Sequence, residues 1–151
     1  MNRAMYKLTG WGDSSVVWHM AGVVGALRRH DDLEYAVRMS SVQGMEAAIV
    51  NGPVKWMFRR DRPLVVTEHA HYLRLPRTSS FPSGHASAAA CAVVMLWEGA
   101  GPLERLGWTA LGGAVAWSRV HVGVHHASDV LAGASIGVGL GLLARRFWPL
   151  R

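Results

Sequence analysis

The sequence has one cysteine, Cys91, and it sits inside an apolar run. An internal disulfide and a cysteine-based metal cluster are therefore both excluded. Charge is scarce too: Asp, Glu, Lys and Arg make up 17% of the chain, against about 25% in an ordinary soluble domain. No stretch is both as long and as cleanly apolar as the roughly 20 residues that a membrane span wants. There is no apolar–polar alternation of useful length for strands, no internal repeat and no low-complexity tail. The start, MNRAMYKLTGWGDSS, has no continuous apolar h-region, so no cleavable signal peptide is expected.

What is present is hydrophobic, basic and helical in pattern. Half of the 151 residues are hydrophobic, seven are tryptophan, and the net charge is +6 with histidines neutral. The length fits one domain, residues 1–151, able to bury a real core. A basic balance fits an anionic partner: nucleic acid, an anionic bilayer surface or a phosphorylated substrate. Five helical segments are predicted. The first runs from about Ser14 to Leu27, before the polar turn RRHDD. The second runs from Glu34 toward Met57, with a kink at Gly52-Pro53. A long polar loop, Arg59 to Pro82, follows. The third helix begins near Pro82, the fourth covers Leu103 to about Trp117, and the fifth runs from about Ser128 through Phe147. The fifth is the best candidate span, with Arg145, Arg146 and Trp148 as interface anchors. Its Gly133, Gly137 and Gly141 recur every four residues, the spacing that lets helix backbones approach in lipid. The fold class expected is all-α, a helical membrane bundle of about five helices.

Polar residues gather in three clusters: KWMFRRDRP (Lys55 to Pro63), SSFPSGH (Ser79 to His85) and SRVHVGVHHASD (Ser118 to Asp129). If the last four helices alternate in direction, all three fall on one face of the bundle, where solvated loops would scatter over both. Singly, each has an ordinary explanation. Lys55, Arg59, Arg60 and Arg62 resemble a basic flank at anionic headgroups. Ser83-Gly84-His85 can be a simple capping turn, although the amides of a helix start also suit a phosphate. His121, His125 and His126 are close enough in sequence for a metal or pH-sensing site, but the neighbouring cations oppose a metal and no HExxH pattern accompanies them. Jointly, Lys55, Arg62 and Arg119 supply positive charge, Ser83 and Gly84 supply donors, and His85 and His125 supply proton-transfer or nucleophilic groups. Asp129, four residues after His125, can fix one imidazole tautomer. This is a phosphoryl-transfer inventory without the acidic ligands of a Mg²⁺ site, so the cations must neutralise the phosphate themselves.

These clusters resemble the three-part signature of the type 2 phosphatidic acid phosphatase family, which shares its core with the vanadium haloperoxidases. Lys55, six residues, then Arg62-Pro63 is similar to the first part; Pro82-Ser83-Gly84-His85 to the second; Ser118-Arg119, five residues, His125, three residues, Asp129 to the third. The resemblance implies a membrane enzyme that hydrolyses a lipid phosphate without metal or other cofactor. It assigns His125 as the nucleophile that becomes phosphohistidine, Asp129 as its orienting partner, and His85 as the acid that protonates the leaving oxygen. Lys55, Arg62, Ser83, Gly84 and Arg119 would hold the phosphoryl oxygens. His121 and His126 fall outside the motif and are expected as loop or pocket-rim residues. Family members commonly have six helices, one more than is read here; either the first segment is truncated or Met1 to Trp11 lies at the interface.

The partners expected are a lipid phosphate and the membrane, not nucleic acid; a homo-oligomer stays open. Phosphatidic acid, phosphatidylglycerol phosphate, polyprenyl phosphates or diphosphates and a polyprenyl phosphosugar phosphate all fit the motifs. Two rivals are a non-catalytic membrane protein that binds anionic lipid and a metal-dependent helical hydrolase. Arg28, Arg29, Arg105, Arg145, Arg146 and Arg151 lie on the face opposite the clusters. That bias makes the opposite face cytoplasmic, placing the site on the outer side of a bacterial-type cell membrane.

Overall fold

A computed structural model of the chain describes residues 15–28, 33–63 and 78–150. The expected Ser14 start, most of the RRHDD turn, the middle of the long loop (64–77), Arg29, Arg151 and the Met1–Trp11 segment lie outside the described residues. Five helices carry the fold: α1 (Val16–Arg28), α2 (Leu33–Ile49), α3 (Gly84–Leu96), α4 (Pro102–His121) and α5 (Ala127–Phe147). Beyond α2 the chain widens into a π-turn at Val50–Val54 and closes with one short turn, Lys55–Met57. The cause is Pro53, which has no N–H to donate, and Gly52, whose non-helical ψ of −110° bends the chain. This is the kink that the Gly-Pro pair predicts.

Local chemistry sets the other boundaries. Ser83 caps α3 by accepting from the Ala86 amide at 3.4 Å. Pro102 opens α4, where a missing N–H costs nothing, and Glu104 turns back to accept from the Gly101 amide at 3.2 Å. Asp129 does the same for the His126 amide at 2.9 Å, opening α5. One boundary differs from expectation: α4 continues past Trp117 to His121. Ser118 and Arg119 therefore ride on its last turn, both buried, rather than in the loop.

The helices alternate in direction. Gly22 of α1 faces Met39 of α2, and Gly25 faces Tyr35. Gln43 of α2 reaches Ala88 of α3, while Asn51 lies against Gly84. The Trp97 indole of α3 donates to Thr109 of α4 at 3.2 Å. Helices α3 and α5 run parallel and nearly touch backbone to backbone. A Cβ at Gly133 would collide with the Ser83 carbonyl, one at Gly137 with the Ser87 carbonyl, and one at Gly141 would crowd Val94 and Cys91. The four-residue glycine spacing thus serves a helix seam, as read from the sequence. Both helices consequently start at the same end, tied by the Ser83 amide donating to the Asp129 carbonyl at 2.9 Å.

Trp18, Met39, Val42, Cys91, Ala92, Met95 and Val115 form the apolar core. Outward faces are also apolar: Met20, Leu27, Leu103, Leu131, Leu142 and Phe147 are all well exposed. Among the described residues, α5 is the one helix long and apolar enough to cross a membrane, and α1 and α3 are shorter apolar helices. At the end away from Lys55, Arg38 is sealed inside the bundle and pairs with Glu98 at 2.7 Å.

The seam generates the first prediction. Gly137→Ala forces a methyl against the Ser87 backbone, which cannot rotate away, and should cost on the order of 1–3 kcal/mol. Gly139 has open space around its Cβ position. Gly139→Ala should therefore be neutral or slightly stabilising. Thermal unfolding of both variants in detergent checks this; equal melting temperatures would contradict the close approach of α3 and α5.

Candidate active site

Three chain ends deliver the three polar clusters to one place. The π-turn aims Lys55 and the following extended segment at the site, α3 begins there with Gly84 and His85, the last turn of α4 brings Arg119, and the α4–α5 connection brings His125. A cavity of about 390 Å³ is lined by Lys55, Arg62, Gly84, His85, Arg119 and His125, together with Gln43 and Glu46. Of the residues singled out in sequence, Ser83 and Asp129 stand behind this lining, fully buried.

His125 has a defined orientation. Its Nε2 lies 3.3 Å from Arg62 Nη1. A guanidinium can only donate, so Nε2 must accept and the ring proton must sit on Nδ1. Nδ1 in turn faces Ser80 Oγ at 3.5 Å and Asp129 Oδ2 at 3.6 Å. The second distance is too long for a hydrogen bond. Asp129 thus acts on His125 through charge and through Ser80, whose hydroxyl donates to Asp129 Oδ2 at 2.5 Å.

Asp129 is held from several sides. Arg60 Nη1 meets Oδ1 at 2.8 Å, and the His126 amide and ring Nδ1 meet Oδ2 at 2.9 and 3.3 Å. The same Arg60 nitrogen reaches Ser128 Oγ at 2.8 Å. His126, expected as a loop or pocket-rim residue, lies in the α4–α5 connection and is part of this cage, while His121 is exposed. Ser80 was not singled out in the sequence, and Arg60 figured only as a headgroup anchor. Their sole sequence signal was proximity to motif residues, Ser80 just before Pro82-Ser83-Gly84-His85 and Arg60 two residues before Arg62. Arg62 is anchored further by the carbonyls of Val124 (3.0 Å) and Thr78 (3.3 Å).

The cations shape each other's proton affinity. Burial is the main reason that the His125 pKa falls well below the ordinary imidazole value, and the positive charges of Arg62, Arg119 and Lys55 push the same way against Asp129. At neutral pH the imidazole is uncharged, as a nucleophile must be. Burial, then Arg62 and Arg119, lowers Lys55 to about 8. Among the described residues no three His, Cys, Asp or Glu side chains converge as metal ligands would. What the arrangement can do is bind a compact anion between cations and present an unprotonated nitrogen to it.

A family model described as the PAP2 superfamily matches residues 39–151. The chain belongs to the PAP2 superfamily. It is 28% identical over 144 residues to decaprenylphosphoryl-5-phosphoribose phosphatase of Mycobacterium tuberculosis, covering 90% of this chain and 74% of that one. It is 28% identical over 119 residues to undecaprenyl-diphosphatase BcrC of Bacillus subtilis, covering 76% of this chain and 58% of the relative. The fold matches the crystal structure of a transmembrane PAP2 type phosphatidylglycerolphosphate phosphatase from Bacillus subtilis with TM-score 0.75 and 26% identity, over 99% of this chain and 79% of that one. Aquifex aeolicus LpxE shares the fold with TM-score 0.76 at 21% identity, over 95% and 84%. This PAP2 chain is accordingly a helical membrane protein and a phosphatase.

For a PAP2 phosphatase with this site, the depressed Lys55 gives a signed pH prediction. The ammonium that attracts the anion is lost as pH rises through about 8. The profile of kcat/KM, which reports the free enzyme, should fall above that point. Lys55→Arg, which stays charged, should move this alkaline limb upward even if its rate is lower. An unchanged limb in Lys55→Arg would show that Lys55 does not set it.

Proposed function

We propose that the chain removes a phosphate from a membrane lipid by way of a phosphohistidine on His125, without a metal. The observation that carries this reading is the Arg62–His125 contact at 3.3 Å. It leaves Nε2 unprotonated and beside a guanidinium that can turn to the phosphoryl oxygens. Nε2 attacks phosphorus, the bond from phosphorus to the lipid oxygen breaks, and His85 gives that oxygen its proton. Water then attacks the phosphohistidine, His85 takes the water's proton, and inorganic phosphate leaves while His125 regains its neutral ring. Lys55, Arg62, Arg119 and the donors of Ser83 and Gly84 neutralise the charge that spreads over the equatorial oxygens in the transition state. Asp129 and Ser80 hold the ring by its Nδ1 side and stabilise the positive charge it gains on attack.

We also propose that the site faces the outer side of a bacterial-type cell membrane. Arg28, Arg105, Arg145 and Arg146 cluster at the far end of the bundle, at the end of α1, the start of α4 and the end of α5. Cations without a role in the chemistry favour the cytoplasmic side.

Rapid quench with phosphate-labelled substrate should capture label on the wild-type protein and none on His125→Ala, whose turnover should vanish while it stays folded and inserted. Activity should persist in EDTA; its loss would favour a metal-dependent hydrolase, and a complete lack of turnover an anionic-lipid binder. Arg62→Lys and Arg119→Lys keep the charge but lose the forked donor geometry, and each should lower the rate by about 10²–10³. The two histidines separate by leaving group. An activated ester such as nitrophenyl phosphate departs without a proton and should partly rescue His85→Ala but not His125→Ala. Equal rescue of both would reverse or void the roles.

A further inference from the structure

One wall of the cavity is polar where a membrane bundle has little reason to be. Gln43 and Glu46, one turn apart on α2, are 0% and 2% exposed and line the cavity beside His85. Gln43 donates its Nε2 to the Ala88 carbonyl at 3.3 Å, one turn past His85 on α3. This sets the pair on the His85 side of the cavity, while His125 arrives from the α4–α5 connection. Gln43 Oε1 and both carboxyl oxygens of Glu46 have no hydrogen-bond partner among the described residues. The Ser87 hydroxyl and the Lys55 ammonium are the polar and charged neighbours of Glu46. The Ser87 hydroxyl can serve one Glu46 oxygen, which leaves Gln43 Oε1 and the second Glu46 oxygen buried in one wall without a hydrogen-bond partner among the described residues, an arrangement that native interiors avoid.

The acceptors ask for a ligand that donates. Backbone groups on α2 and α3 are committed to their helices. An ammonium ligand would meet Lys55, Arg62 and Arg119 in the same cavity and be repelled. A neutral hydroxyl meets no such penalty. In a reaction where His85 protonates the leaving oxygen, hydroxyls carried next to that oxygen fall on the Gln43–Glu46 wall. We infer that this wall is a headgroup subsite, and that the substrate is a phosphate monoester of a polyhydroxylated headgroup, glycerol or sugar, on a lipid anchor. Phosphatidic acid and polyprenyl diphosphates carry no such hydroxyls and leave the acceptors unpaired. A site built to hydrogen-bond a substrate hydroxyl discriminates strongly against an analogue that lacks it. The inference rests on the phosphatase reading and narrows its substrate class.

The test compares kcat/KM of the full-length enzyme in mixed micelles on four substrates: phosphatidylglycerol phosphate, a polyprenyl phosphoryl-pentose phosphate, phosphatidic acid and a polyprenyl diphosphate. Wild type should favour one or both polyol phosphates over the hydroxyl-free pair by about 10- to 100-fold. The first two substrates distinguish a glycerol from a sugar headgroup. Glu46→Met, of similar bulk, should collapse that ratio toward one, and Glu46→Gln, which keeps one acceptor, should lower it less. No preference in wild type overturns the subsite while leaving the phosphatase standing. A fall of equal size on all four substrates in both variants also overturns it, because a merely structural role moves them together. No turnover of any of the four by wild type removes the phosphatase reading and the subsite with it.

Discussion

The site depends on the backbone contact between α3 and α5. Glycine at 133 and 137 lets the second helix lie directly on the Ser83 and Ser87 carbonyls, and the Ser83 amide closes on the Asp129 carbonyl at 2.9 Å. Because the two helices are parallel, both amino termini end at the same place. Each contributes the positive end of its dipole. Gly84 and His85 sit on one terminus and Asp129 on the other, so the spacing between His85 and the carboxylate behind His125 is set by main-chain atoms. Side chains in lipid supply little hydrophobic force between helices, and close backbone packing takes its place.

Concentrating positive charge there has a cost that the structure turns to use. Burial first, and then Arg62, Arg119 and Lys55 around the same cavity, disfavour a protonated imidazole, so His125 stays neutral, as the proposed attack requires. In the proposed reaction attack places positive charge on the ring, and a compensating negative charge must then be near but not in the cavity, where it would repel phosphate. Asp129 meets both demands. It is wholly buried behind His125, 3.6 Å from Nδ1, and Arg60, Ser80 and His126 fix its oxygens. Ser80 makes the link directional, since its hydroxyl spans the carboxylate and the ring.

The three motifs were legible because motif residues are close in sequence and chemically unusual in an apolar chain. Their convergence needed only helix order and alternation, which the Gly-Pro kink and capping residues made readable. Ser80 and Arg60 were not legible: their partner Asp129 lies 49 and 69 residues away, and a serine or arginine in a polar loop has many ordinary reasons to be there. The end of α4 was misread because Ser118 and Arg119 look like loop residues, while burial at the site keeps them helical. Hydropathy also understated the bundle. On α2 the polar Arg38, Gln43 and Glu46 face inward, while Val37, Met45 and Ile49 face out. A window average cannot see that α2 buries these polar groups beside the apolar Tyr35, Met39 and Val42.

The polar groups buried on α2 have their own logic. Lipid tails do not drive α2 inward, so its position must come from contacts that lipid cannot offer. Arg38 pairs with Glu98 at one end and Gln43 bonds the Ala88 carbonyl in the middle. At the other end the chain leaves helical geometry at Gly52-Pro53 to present Lys55. A regular helix with polar tethers at two levels is fixed in both rotation and depth. The π-turn then releases that register at the one point where Lys55 must reach the cavity instead of the seam. The Arg38–Glu98 pair, remote from the chemistry, therefore helps set where Lys55 stands, and the polar interior of α2 is how a helix without a hydrophobic drive keeps a cation in place.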